Sequence, residues 1–141
     1  MTAEENLEMF RRVMEQGFSK GNMNVLEEVM APDFIENEAG AGEGRGLEGV
    51  KDIVRMLRTA FPDLHATIED SFAAGDRICA RVTFRGTNTG EFQGMPPTGR
   101  EAVWGAIDVC RFADGRMAEH CGQIDRLGLL EQLGVVSTEP N

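Results

Sequence analysis

Histidine, cysteine and basic side chains are scarce in this chain, tyrosine is absent, and no long apolar run occurs. Each shortage closes off a class of function. Two histidines and three scattered cysteines supply no zinc-ligand pattern. Cys79, Cys110 and Cys121 are odd in number and widely spaced within predicted strands, which reads as reduced core thiols rather than a disulfide framework. Fourteen Lys and Arg stand against 24 Asp and Glu, a net charge of −10. That balance opposes nucleic acid and anionic lipid, whose phosphates require clustered basic side chains. No stretch approaches the roughly 18 apolar residues of a membrane span. The acidic, helix-like start at Met1-Thr2-Ala3-Glu4-Glu5-Asn6 lacks the pattern of a secretory signal, so a cytoplasmic location is expected. No Gly-Lys-Ser/Thr ending occurs in the glycine-rich stretch, so it is not a phosphate loop. Neither a metal nor an organic cofactor is implied, and the expected partner is a neutral or hydrophobic small molecule.

What is present is enough for one core. A chain of 141 residues, 41% of them hydrophobic, suits a single domain that buries about two-thirds of its unfolded surface. The domain is expected to span residues 1–134, with 135–141 as a tail. Thr2 and Glu5 form a capping box, and Leu7, Phe10, Val13, Met14 and Phe18 follow at helical spacing in a helix ending near Gly21. A second, shorter helix carries Val25, Leu26 and Val29, with Asn24 and Glu27 as candidate caps and Pro32 as its stop. Phe34 and Ile35 lead into a loop between Glu36 and Gly46, rich in glycine and glutamate, which reads as a mobile connection or a gate over a pocket. A third helix presents Leu47, Val50, Ile53, Val54, Leu57 and Phe61 on one face and closes at Pro62.

Beyond Pro62 the hydrophobic period falls to two. Thr67 to Phe72 and Arg77 to Arg85 pair across a Gly75-Asp76 turn, the latter with Ile78, Ala80, Val82 and Phe84 on one face and three arginines on the other. A Gly- and Pro-containing excursion from Thr87 to Arg100 precedes a strand from Ala102 to Phe112. Ala113-Asp114-Gly115 then turns the chain into a strand from Arg116 to Asp125, and Leu127 to Leu133 forms a terminal helix or turn. Helices first and antiparallel strands after make an α+β protein with helices on one sheet face. The Ala102 to Phe112 strand is apolar on both faces. Its outer set, Val103, Ile107 and Val109, is expected to associate with a second copy in a homodimer through the sheet.

Pairing around Asp114-Gly115 without interruption places Trp104 opposite Asp125, Ala106 opposite Gln123 and Asp108 opposite Cys121, with Trp104, Asp108, Gln123 and Asp125 on one face. His120 falls on the other face in that register, and a bulge would swing it inward.

The run Thr89-Gly90-Glu91-Phe92-Gln93-Gly94-Met95-Pro96-Pro97-Thr98-Gly99-Arg100 resembles a signature of the SnoaL-like polyketide or ester cyclases of the nuclear transport factor 2-like superfamily. So does Ile107-Asp108-Val109-Cys110-Arg111-Phe112-Ala113-Asp114-Gly115-Arg116-Met117-Ala118-Glu119-His120, continuing to Asp125. Gly21 to Phe34 is similar to the family's second helix, and Phe61-Pro62-Asp63 to its helix-to-strand junction. The resemblance implies three helices on a strongly curved, mostly antiparallel sheet that forms a cone, a cystatin-like α+β barrel. It implies cofactor-free ring closure by intramolecular aldol condensation, with the catalytic aspartate at Asp125. Gln123, His120, Asp108, Trp104, Asn37, Met14, Phe18, Met56 and Phe61 are the candidate substrate-binding residues. The sequence departs from the family at Cys121, where tryptophan is frequent, and at Asn37, where histidine is frequent. The missing tyrosine disfavours the isomerase-like and epoxide-hydrolase-like mechanisms of related proteins.

Several of these residues admit structural roles as well. Asp125 can cap a helix beginning near Leu127, Asp108 can be a hydrogen-bonded structural acid, Trp104 can be core, His120 an edge histidine and Asn37 a turn residue. Three functions follow from these choices: a cyclase acting on a hydrophobic carbonyl compound, a non-catalytic carrier or sensor of an apolar ligand, or a dimeric scaffold with no ligand.

Overall fold

The computed structural model describes residues 1–37 and 46–137; most of the glycine-rich stretch expected as a mobile connection or gate lies outside the described residues. Among the described residues, four helices pack with one five-stranded sheet of order β1-β5-β4-β3-β2. Helix α1 spans Ala3–Arg12, with the Thr2 hydroxyl accepting from the Glu5 N–H at 3.1 Å, as the capping box requires. It continues as a π-helical segment, Val13–Phe18. Helix α2 spans Met23–Val29 and is capped by Asn22 rather than Asn24: the Asn22 side chain accepts from the N–H groups of Asn24 and Val25. Helix α3 spans Leu47–Ala60. Lys51 on its inner side ties it to α2 through Glu27 at 2.5 Å. No described helix is long and apolar enough to cross a membrane.

The strands are β1 (Met30–Glu36), β2 (His65–Ala74), β3 (Arg77–Thr87), β4 (Glu101–Ala113) and β5 (Arg116–Ile124), followed by α4 (Arg126–Gln132). Strand β1 corrects the sequence expectation that Pro32 only stops a helix and that Phe34 and Ile35 enter a loop. An edge strand tolerates proline because one row of its N–H groups has no ladder partner to serve, and β1 lies at the sheet edge, paired in parallel with β5. The other pairs are antiparallel.

Strand β3 alternates as expected, with Ile78, Ala80, Val82 and Phe84 buried and Arg77, Arg81 and Arg85 exposed. On β4 the inner row is Ala102, Trp104, Ala106, Asp108, Cys110 and Phe112. The outer row leaves Val103 and Ile107 exposed and Val109 half-buried. Only Cys110 of the three free cysteines is buried; Cys79 is half-buried and Cys121 exposed, so the expectation of core thiols holds at one position. Both lie on the outer face, where Cys79 and Cys121 flank Val109.

The β4–β5 hairpin departs from uninterrupted pairing after two rungs. Ala113 pairs with Arg116 and Phe112 with Met117, but Arg111 pairs with Glu119, so Ala118 is a one-residue bulge. Because side chains alternate with period two, one extra residue reverses the facing of everything beyond it. His120 turns inward beside Cys110, Gly122 comes opposite Asp108, and Gln123 joins the outward row opposite Ile107. The expected pairs Trp104–Asp125, Ala106–Gln123 and Asp108–Cys121 are replaced accordingly.

The excursion before β4 is pinned from inside. Asn88, 1% exposed, donates to the Ala60 and Gly90 carbonyls and accepts from the Thr98 N–H and hydroxyl. Gly90 lies so close to the end of α3 that an added Cβ would sit 1.9 Å from the Thr59 carbonyl oxygen. Gly90→Ala is therefore expected to destabilise the fold by about 1–3 kcal/mol through overpacking. Gly105→Ala, whose new Cβ would meet nothing nearer than 3.9 Å, should change the chemical-denaturation midpoint far less; equal effects would contradict the close approach.

Candidate functional site

Helices α1 and α3 and the inner row of the sheet enclose a cavity of about 520 Å³, within the range of small-molecule sites. Its walls are mostly apolar. Met14 and Phe18 on the π-helical segment, Met56 on α3, and Phe84 and Trp104 on the sheet all line it. The Phe84 and Trp104 rings stack with centroids 5.7 Å apart. Phe61 does not line the cavity. It is fully buried behind the wall, against Trp104 and Phe92.

Three titratable groups meet in this apolar setting. His120 Nδ1 lies 2.5 Å from Glu36 Oε1, and His120 Nε2 lies 2.6 Å from Asp108 Oδ1. Each comes from a different strand: the β1–β5 ladder sets Glu36 beside His120, and the Ala118 bulge turns His120 toward Asp108. Gly122 leaves room for this contact, since a Cβ there would stand 2.8 Å from both Asp108 Oδ1 and His120 Nε2. An imidazole nitrogen facing a carboxylate must donate, and both nitrogens donate only in the imidazolium. Burial alone would lower the His120 pKa, but the hydrogen bonds and charges of Asp108 and Glu36 outweigh it and raise the pKa to about 10. At neutral pH the cluster therefore centres on a protonated His120 between the Glu36 and Asp108 side chains. Asp108 is 5% exposed, and its Oδ2 is buried with no hydrogen-bond partner among the described residues. Burial, reinforced by the charges of Asp108 and Glu36, pushes the neighbouring Cys110 thiol well up, which keeps it from acting as a thiolate nucleophile.

The sequence matches the family model of SnoaL-like polyketide cyclases over residues 8–133. The chain belongs to this family. Among curated relatives it is 28% identical to the aklanonic acid methyl ester cyclase DauD of Streptomyces sp. (strain C5), over 91% of this chain and 81% of that protein. It is likewise 28% identical to the nogalonic acid methyl ester cyclase of Streptomyces nogalater, over 86% of this chain and 92% of that one. Among solved structures, TsrD from Streptomyces laurentii superimposes with a TM-score of 0.87 at 28% identity, covering 96% of this chain and 99% of that chain. IdmH from Streptomyces antibioticus gives 0.82 at 33% identity, covering 92% and 99%.

Within this SnoaL-like fold the residues singled out in the sequence separate into three groups. Asp108, His120, Trp104, Met14, Phe18 and Met56 line the cavity, and Gln123 reaches it at the exposed rim. Asn37 does not line it: its side chain is exposed, and its N–H extends the β1–β5 ladder by donating to the His120 carbonyl at 2.9 Å. Asp125 also lies away from the wall. It is the exposed N-cap of α4, its carboxylate accepting from the Gly128 N–H at 2.9 Å, and it is not a lining residue. The bulge explains this, because the shifted register carries residue 125 off the inner row. Sequence reasoning missed Glu36. Its signal was the alternation Phe34-Ile35-Glu36, inner-outer-inner once β1 is known to be a strand.

The cluster has a pH signature. The folded-state pKa of His120 lies above the unfolded value of about 6.5, so its contribution to stability is complete below about pH 6.5 and is lost as pH rises through about 10. In NMR titrations, one of the two histidine rings should stay protonated through pH 8 and titrate near 10. A His120 ring that becomes neutral below pH 7 would contradict the doubly donating geometry.

Proposed function

We propose that this protein closes a ring in a hydrophobic carbonyl compound by cofactor-free aldol chemistry, with the acid/base role on Asp108 rather than Asp125. The observation that carries this reading is Asp108, a cavity-lining carboxylate in apolar surroundings whose Oδ2 has no hydrogen-bond partner among the described residues and whose Oδ1 meets His120. Family membership and the relatives named as methyl ester cyclases support the reaction class.

The proton inventory closes without an external reagent. Asp108 removes a proton from the carbon next to one carbonyl, and the enolate carbon attacks a second carbonyl of the same molecule. The resulting alkoxide then recovers the proton from Asp108. His120, hydrogen-bonded to the other oxygen of the same carboxylate and backed by Glu36, holds that carboxylate in position before the first proton transfer and after the last. Water exclusion by the Met14, Phe18, Met56 and Trp104 wall keeps the enolate from being quenched before closure. Positioned proton transfer contributes about 10²–10⁴-fold to rate.

Aklanonic acid and nogalonic acid methyl esters are accessible test substrates, with closure followed by NMR because an aldol step without loss of water leaves the mass unchanged. Wild-type protein should close at least one of them. Asp108→Asn should be slower by about 10²–10⁴-fold, and Asp125→Asn, which preserves a helix cap, should retain turnover. Loss on Asp125→Asn alone would return the role to the strand-end aspartate. Binding of both compounds without turnover would instead establish a carrier, a reading favoured by the engagement of both His120 nitrogens with carboxylates.

A homodimer through the outer sheet face belongs to the same proposal. Val103 is 37% exposed, Ile107 47% and Phe72 62%, apolar side chains on the outer face, beside Arg85 and Arg81, that association would cover. Sedimentation should give twice the chain mass for wild type and the single chain mass for Ile107→Glu. A monomeric wild type at micromolar concentration would remove the dimer.

A further inference from the structure

The cavity has a charged feature at its mouth that the acid/base chemistry leaves unused. Arg126, the first residue of α4, and Gln93 both line the cavity and are both exposed. Arg126 Nη2 donates to Gln93 Oε1 at 2.5 Å. Gln93 is held firmly on its side. It sits with φ of 50° in the tight turn Phe92-Gln93-Gly94-Met95, closed by hydrogen bonds between Phe92 and Met95 in both directions. Phe92 anchors that turn in the core, 2% exposed and packed on Phe61. A non-glycine residue rarely adopts a positive φ, and here the conformation places the amide across the mouth from α4.

Arg126 is partnered differently from several of the chain's other arginines. Arg11, Arg12 and Arg55 lie within 3.1 Å of carboxylates, and Arg58 and Arg116 donate to backbone carbonyls. Among the described residues Arg126 faces only a neutral amide. Glu36, Asp108 and His120 occupy the interior, and Arg126 is the one further charged residue among the cavity's described lining. It places a cation at the rim, next to the exposed N-cap Asp125, in a chain whose total charge is −10.

We propose that Arg126 and Gln93 form a carboxylate subsite, so that the cavity admits the methyl ester of a hydrophobic carbonyl compound but prefers the free acid. This rests on the cavity being the ligand site. A guanidinium fork matches a carboxylate in bidentate geometry, and such charge-assisted hydrogen bonds are about twice as strong as neutral ones. An entering carboxylate displaces the Gln93 oxygen from Arg126 and frees the Gln93 NH2 to donate as well. With the acid held at the rim, the hydrophobic body lies along the Phe84–Trp104 wall and the enolisable carbon points inward to Asp108.

Trp104 is the only tryptophan in the chain and reports occupancy by quenching of its fluorescence. Anthraquinone-2-carboxylate and its methyl ester serve as the probe pair, titrated at low ionic strength into wild type and Arg126→Gln. Wild type should bind the acid about 5- to 10-fold more tightly than the ester, the preference should shrink with added salt, and Arg126→Gln should abolish it. Equal or tighter binding of the ester by wild type, or an acid preference that survives in Arg126→Gln, would overturn the subsite. Failure of both compounds to quench would overturn the cavity as the ligand site and the subsite with it. Loss of turnover in Asp108→Asn with the acid preference intact concerns the catalytic reading alone, so the two can fail separately.

Discussion

The structure turns on one constraint: an imidazolium is held between two carboxylates in a cavity with almost no other polar groups. Charges buried this way are stable only together. Removing the imidazolium from such a cluster leaves buried carboxylates without a counter-charge, and breaking a buried ion pair in this way typically costs about 3–5 kcal/mol. Three strands must therefore deliver Glu36, Asp108 and His120 to the same point, and the parallel edge strand, the hairpin bulge and the glycine at position 122 each serve that delivery.

The apolar wall and the charged cluster depend on each other. Phe84, Trp104, Met14 and Met56 lower the local dielectric, which strengthens each hydrogen bond within the cluster and raises the cost of leaving Asp108 Oδ2 unpaired. Cys110, packed in the same layer, responds oppositely because its neutral form is the one burial favours. One environment thus holds a histidine charged and a cysteine uncharged, and the difference lies in their hydrogen-bond partners.

Much of this fold is legible in local sequence. The Thr2 cap, the helical stripes of α1 and α3, the alternation of Ile78, Ala80, Val82 and Phe84, and the Asp114-Gly115 turn all depend on residues within a few positions of one another. The site is legible only where it shares that property. Trp104 and Asp108 follow from the period of β4, but the facing of His120 depends on a single extra residue at Ala118. No propensity marks that alanine as a bulge; the need to bring His120 under β1 and beside Asp108 does. Asp125 was misplaced by the same one-residue error. Glu36 was hidden because Pro32 argues against a strand unless the strand is known to lie at an edge, and that is a property of the assembled sheet.

The pairing of β1 with β5 has a consequence for how the chain selects its native alignment. The ladder between them is short and interrupted, with three residue pairs and a shift between Met30 and Ile35, so backbone hydrogen bonds alone discriminate poorly between neighbouring alignments. Glu36 and His120 are 84 positions apart. A slip of β1 by one residue would turn Ile35 toward the imidazolium and put Glu36 in solvent, leaving His120 Nδ1 without its acceptor. The ionic cluster therefore works as a proofreading element for strand alignment: the contacts that set charge inside the cavity are also those that disfavour the misaligned sheet.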